Sequence, residues 1–318
     1  MKKISIIGAG NVGTSAALYI AEKRLGHITL VDIREGLARG KAMDLMQAAP
    51  LREYDIEIRG SSDFMDLMYS DVVVVTAGRV RSPGMKREDL LMDNAELVAP
   101  LADVIRRAAP EAVVIVVTEP VDAMTYLLLR KSGFPPARVL GLTGVLDATR
   151  FRYFIAEELG ISAQDVTAMV IGGHHEHMVP LAGYSRAGGV PITELLPAEK
   201  IAAIVDKVRE AGRRIVEELR QGSSFYTPGA CISEMVEAIV RDSKRILPVA
   251  TLLQGEYGLN DVCVGVPALI GKGGVEKIYQ LKLDETDLKL FRHSAEVVMD
   301  SQKAVLRVED MTRALDLL

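Results

Sequence analysis

Over its first 145 residues the chain alternates short aliphatic runs with stretches of helical spacing, and this rhythm leaves few folds open. The runs are Ile4–Ile7, Ile28–Ile33, Ile56–Ile58, Val72–Thr76, Val113–Val117 and Val139–Leu142. They are continuous rather than alternating, as suits strands buried on both faces of a parallel sheet. The segments between them, Thr14–Arg24 and Asn94–Ala109 among them, repeat apolar residues at helical spacing. Pro100 is expected to kink or split the second of these. Strand, helix, strand in this order predicts an α/β fold with a doubly wound parallel sheet.

After Thr149 the texture changes. Helices are expected over Phe151–Leu159, Ala198–Arg220, Ala230–Ile246 and from about Glu285 to Leu306. Strand-like runs are Val166–Ile171, Met178–Tyr184, Val249–Gln254, Val262–Val266 and Lys277–Leu281. This is the pattern of a mixed α+β half without parallel βαβ units. The 318 residues suit two domains, divided here as 1–145 and 146–318. No flexible linker marks the boundary, so the halves are expected to pack tightly.

Composition narrows the class. Lys plus Arg is 38 and Asp plus Glu is 43, a net charge of −5. That balance argues against nucleic acid held by bulk charge, because phosphates demand clustered cations. It leaves room for a small anion, since a few buried arginines outweigh the mean charge locally. Cys231 and Cys263 are too few for a disulfide framework, and a cytoplasmic location is expected. No apolar run approaches the ~20 residues a membrane span needs.

Gly8-Ala9-Gly10-Asn11-Val12-Gly13 fits G-x-G-x-x-G directly after the run Ile4–Ile7. In a Rossmann turn the first glycine permits the bend, and the second lets backbone approach a pyrophosphate. The third lets helix and strand pack closely. The helix N-terminus adds N–H groups and a positive dipole end. Asp32 ends the next run, 19 residues beyond Gly13. A carboxylate there accepts two ribose hydroxyls and repels a 2′-phosphate, which favours NAD over NADP as cofactor.

Three further pieces carry charge. Arg81-Ser82-Pro83-Gly84-Met85-Lys86-Arg87 follows the fourth run, on the side of an open α/β sheet where ligands bind. Taken alone it reads as a solvated basic turn. Asp147 and Arg150 stand three apart on one helix face, which alone reads as a routine ion pair. Gly172-Gly173-His174 ends a run with a histidine placed to exchange protons.

In this order the pieces resemble the lactate/malate dehydrogenase family, in its lactate-dehydrogenase-like malate branch, over essentially the whole chain. The shared motifs are GAGNVG, VDI with Asp32, TAG, RxPGxxR, LDxxRFR and GGH. The resemblance implies that His174 is the acid/base and that Asp147 orients its ring. It implies that Arg150 clamps the substrate carboxylate and that Arg87 polarises the carbonyl. Arg81 falls at the position where a second arginine marks the malate branch. Asn94, Val117 and Glu119 fall where the family meets the nicotinamide half of the cofactor. A homodimer or homotetramer acting on a dicarboxylate is implied as well.

The chemistry agrees with those roles. Hydride transfer to a ketone creates an alkoxide, which calls for a proton donor and a nearby cation. An arginine fork fixes a carboxylate through two parallel bonds.

Two departures stand out. Thr118-Glu119-Pro120-Val121-Asp122 carries Glu119 where the family has asparagine. An ionised glutamate does not donate to a substrate oxygen and repels a dicarboxylate. It is protonated, paired with an arginine, or turned away, and it admits a substrate other than malate. His175-Glu176-His177 invites a metal, but strand alternation puts only His175 and His177 on one face, and no metal is expected. Two alternatives to a malate enzyme stand beside it: a dehydrogenase for another 2-hydroxy acid, and an NAD-binding protein with weak turnover.

Overall fold

A computed structural model describes residues 1–34, 36–79, 87–220 and 222–315, with side chains for all of these except 87, 88 and 307–315. The first half runs β1 (Lys3–Ile7), α1 (Asn11–Glu22), β2 (His27–Val31), α2 (Leu37–Arg52), β3 (Ile58–Ser61), β4 (Val72–Val75), α3 (Arg87–Ala108), β5 (Val113–Val116), α4 (Val121–Ser132) and β6 (Val139–Gly141). The six strands are parallel in the order β3-β2-β1-β4-β5-β6. The chain reverses its direction of travel across the sheet between β1 and β4, and a crevice opens there beyond the strand ends.

The aliphatic runs are continuous because both faces are covered. Ile4, Ile6, Ile28, Leu30, Val72 and Val74 pack into one core layer with Ala17 and Ile20 of α1. Ile7, Val31, Val73, Val75, Val114 and Val116 point the other way, onto Val98 and Ile105 of α3 and Met124 and Leu128 of α4. Pro100 does not split its helix: α3 is continuous through it. Val98, Ala102 and Ile105 on either side are fully buried, and that packing outweighs one missing backbone hydrogen bond.

The second half runs α5 (Gly144–Leu159), β7 (Val166–Thr167), β8 (Val170–Ile171), β9 (Val179–Pro180), β10 (Arg186–Ala187), β11 (Val190–Pro191), α6 (Ile192–Leu195), α7 (Ala198–Leu219), α8 (Tyr226–Val240), β12 (Arg245–Gln254), β13 (Asn260–Gly271), β14 (Gly274–Ile278) and α9 (Glu285–Leu315). It forms two small sheets of its own, β11-β10-β7 and β8-β9, but its long strands do not stand apart from the first half. Strand β12 pairs antiparallel with β6 at Ala250 and Gly141, and β13 and β14 follow, so one nine-stranded sheet crosses the expected boundary. Helix α8 lies on α1, so close that a Cβ on Gly229 would sit 2.6 Å from Ser15 Oγ. Among the described residues no helix is long and apolar enough to cross a membrane.

Several expected boundaries move. The run 166–171 divides into β7 and β8, which belong to different sheets. Met178–Tyr184 becomes β9 followed by a 3-10 turn at Ala182–Tyr184. The helix expected at Phe151 begins at Gly144, with no side-chain cap from Thr143. The helix expected to reach Ile246 stops at Val240, and Arg245 and Ile246 already belong to β12.

Candidate active site

The glycine turn sits at the carboxyl end of β1. Gly8 holds φ +103°, and a Cβ there would lie 2.7 Å from both Ala77 N and Thr76 Oγ1. A Cβ on Gly13 would lie 2.0 Å from Gly8 O, which is how the helix comes to rest on the turn. Gly10 is different, because nothing lies within 4 Å of where its Cβ would be. It is the N-cap of α1, with no side-chain cap and no acidic residue in the first turn. The turn led by Asn11 and Val12 thus offers its N–H groups and dipole to an anion.

Asp32 closes this end of the crevice. Its Oδ2 accepts from Ala9 N at 2.9 Å, and its Oδ1 accepts from Arg34 N at 3.0 Å and Arg34 Nε at 3.2 Å. Burial pushes the carboxyl up, but the Arg34 guanidinium and the two N–H groups more than offset this and hold it below the usual range. Arg34 was not anticipated from sequence. Its side chain is 65% exposed. A cavity of about 690 Å³ lies here between Asp32, Ile33, Gly10 and Pro100. A second, of about 510 Å³, shares Thr76 and Gly78 with it and leads past Val12 and Val117 to Glu119 and His174.

At that far end three elements converge on one imidazole. Helix α5 presents Asp147, whose Oδ2 lies 2.8 Å from His174 Nδ1. One turn along, Arg150 Nη1 lies 3.9 Å from Asp147 Oδ1. Helix α4 presents Asp122, whose Oδ2 accepts the His174 backbone N–H at 2.8 Å. The segment after β5 presents Glu119, with Oε1 3.4 Å from His174 Nε2. Burial alone would lower the imidazole's pKa. The charges of Asp147 and then Glu119, with the Asp147 hydrogen bond, reverse that and raise it to about 9. The pKa of Asp122 also rises, but here burial is the cause: it pushes the carboxyl up to about 7 despite the His174 N–H. Arg150 Nε and Asp147 Oδ1 are buried without a hydrogen-bond partner among the described residues.

His174, Asp147, Arg150 and Glu119 are therefore brought together, and Val117 lines the same cavity. Asn94 is fully buried, with its amide engaged by backbone. Its Oδ1 accepts from Arg79 N, and its Nδ2 donates to Glu119 O at 2.7 Å and Arg79 O at 3.2 Å. It braces the cavity floor. Arg81 lies outside the described residues, and Arg87 opens α3 with its side chain outside them.

Residues 174–177 form a turn rather than a strand, so faces do not alternate there. Instead His175 Nδ1 accepts from His177 N at 3.1 Å, and the two rings meet edge to face. Among the described residues no group of three His, Cys, Asp or Glu is arranged to hold a metal ion. Sequence reasoning does not single out Asp122, which the structure places against the His174 backbone. The signal was available, because Val121–Leu129 is otherwise free of charge.

Two family models cover nearly all of the chain. The lactate/malate dehydrogenase NAD-binding domain matches residues 2–141, and the α/β C-terminal domain of the same family matches 144–308. A malate dehydrogenase of Desulforudis audaxviator is 50% identical over 297 residues, covering 93% of this chain and 96% of that one. One from Heliobacterium modesticaldum is 48% identical over 98% and 99% of the two chains. Among solved structures, the apo malate dehydrogenase of Picrophilus torridus superposes with a TM-score of 0.95 at 44% identity, covering 98% and 99%. The lactate dehydrogenase of Cryptosporidium parvum, solved with lactic acid and cofactor, gives 0.92 at 35% identity, covering 96% and 98%. By its sequence, its fold and both family models, the chain belongs to the lactate/malate dehydrogenase family.

Proposed function

We propose that the protein is an NAD-dependent malate dehydrogenase, interconverting (S)-malate and oxaloacetate. The observation that carries this is the His174–Asp147 pair beside Arg150 at the end of a crevice that begins at Asp32 and the glycine turn. The residues fit the cofactor. Gly10 is open where a pyrophosphate would lie, and the carboxyl of Asp32 is held ionised to accept ribose hydroxyls in exchange with exposed Arg34. Residues 1–145 would bind the cofactor and 146–318 the substrate. NAD, when bound, supplies or takes up the hydride at its nicotinamide ring.

The protein's own part is to move a proton and hold charge. His174 Nε2 gives its proton to the carbonyl oxygen during reduction and recovers it during oxidation. Asp147 keeps the ring in one orientation and stabilises the imidazolium. Arg150, almost buried, pairs with the carboxylate beside the reacting carbon. Arg87 polarises the carbonyl, and Arg81 pairs with the far carboxylate, leaving a buried charge unmatched when pyruvate binds. Val117, Asn94 and Glu119 form the nicotinamide end. We place this activity in the tricarboxylic acid cycle of the cytoplasm, in a homodimer or homotetramer, as the family resemblance implies.

Loss of NADH absorbance with each 2-oxo acid tests the reading. Oxaloacetate is expected to exceed pyruvate in kcat/KM by at least about 100-fold, and equal rates would refute it. A second reading, a dehydrogenase for another 2-hydroxy acid, is favoured by one observation: the Glu119 carboxylate stands at the reacting nitrogen. A wider panel of 2-oxo acids in the same assay decides between the two.

A further inference from the structure

His174 is held on two sides. Its Nδ1 belongs to Asp147 and its backbone N–H to Asp122. Only Nε2 remains, at the lip of the inner cavity, with the side chain 13% exposed. That remaining atom faces the Glu119 carboxylate at 3.4 Å.

Glu119 is built as an anchored arm. Its carbonyl is gripped by Asn94 Nδ2 at 2.7 Å, and neighbouring Thr118 donates to Ala77 O at 2.6 Å. On its other side Pro120 caps α4. Backbone position is thus fixed from both sides. The side chain is 48% exposed, so its carboxylate is free to swing.

We propose that Glu119 is a latch on the reacting nitrogen of His174: in the substrate-free protein its carboxylate holds the Nε2 proton, and a substrate oxygen enters by displacing it. The inference rests on the dehydrogenase reading of this site. No bond is made or broken in the exchange. The proton stays on Nε2 and changes only its acceptor, from the Glu119 carboxylate to the substrate carbonyl. In the oxidation direction the same carboxylate faces the imidazolium left when His174 has taken the hydroxyl proton.

The latch has two consequences of opposite sign. An arriving dicarboxylate meets a like charge, which weakens binding. A second carboxylate beside the imidazole keeps it protonated to higher pH, which favours reduction and penalises oxidation near neutrality. Other charged or titratable groups face or flank this ring. Asp147 and Arg150 come from α5, Asp122 from α4, Arg79 from the segment after β4, and His175 and Glu176 from its own turn. All remain in place when Glu119 is changed.

The test uses Glu119→Gln and Glu119→Asp in the full chain. The first is a neutral near-isostere, and the second retains charge on a shorter arm. The chain has five histidines, so the ring signal of His174 is assigned by its loss in His174→Asn and titrated by NMR. Glu119→Gln is expected to lower the His174 pKa by about one unit, the lower end of the range for a nearby charge because Glu119 is half exposed. Glu119→Asp is expected to fall between. In the same variant KM for oxaloacetate should drop several-fold, and the pH midpoint of malate oxidation should move down with the titration. An unchanged His174 titration in Glu119→Gln overturns the latch. The titration needs no substrate, so it stands even if malate proves the wrong hydroxy acid.

Discussion

Asp32 and Asp122 serve opposite ends of one crevice, and both have lost nearly all their surface, to 7% and 5% exposure. Yet one is held below the ordinary carboxylate range and the other is pushed up to about 7. Donors account for the difference. Asp32 accepts from two backbone N–H groups and a guanidinium, spread over both oxygens. Asp122 accepts one N–H on Oδ2, and its Oδ1 has no hydrogen-bond partner among the described residues. Burial is a cost that N–H donors repay one by one. The cofactor end is built to hold a fixed charge, and the histidine end to let charge move.

Asp147→Asn tests the mobile end most severely. Without its charge the imidazolium is no longer favoured, and kcat is expected to fall about 10²–10⁴-fold with KM for NAD unchanged. Steady-state kinetics in both substrates measures the split. At the fixed end Asp32→Ala should raise KM for NAD about 10–100-fold, since it removes hydrogen bonds to a charged group, while kcat changes little.

Asp122→Asn sharpens the contrast through stability. The folded pKa of Asp122 is raised above its unfolded value near 3.8. Its contribution is therefore full below that value and lost as pH rises through about 7. Asparagine keeps an acceptor for the His174 N–H and cannot ionise. The variant should gain on the order of 4 kcal/mol over wild type above about pH 7 and nothing below about pH 3. Urea unfolding at a series of pH values measures it, and parallel curves would contradict it. His174 acts in the same direction over a higher window. Its folded pKa is also raised, from 6.5 to about 9, so its stabilisation is present below 6.5 and lost through about 9. In His174→Asn that part of the decline should disappear. The smallest effect is expected of Arg34→Gln. The guanidinium is exposed and yields to the ribose, so KM for NAD should shift less than about threefold.

Where a residue's place depends on its own neighbourhood along the chain, it is readable from sequence. Strands buried on both faces must be continuous runs, so β1, β4 and β5 stood out. The glycine turn and Asp32 are bound by spacing to one strand-turn-helix-strand unit. Asp147 and Arg150 share a helix face and do meet. Features that depend on distant segments were hidden. Nothing local tells β12 to extend the sheet at β6, because antiparallel addition leaves no mark on the strand it joins. The turn at 174–177 looked like a strand because Val170 and Ile171 precede it and are one. Glu119 departs visibly from the family pattern, but its reach to His174 follows from the backbone path over Asn94, which spacing does not encode.

The sheet that crosses the midpoint of the chain also settles how such a protein can be inherited and handled. Cutting after Gly141 would leave β6 as a bare edge, with Val139 and Leu140 buried on nothing but their own half. The same cut would strip α1 of Ile232, Met235 and Val236, which complete its core layer. A cofactor half lifted out as a module would carry a sticky strand and an uncovered helix face. The two halves share one sheet and one core layer, and exchange between relatives is expected to succeed for whole chains where it fails for halves.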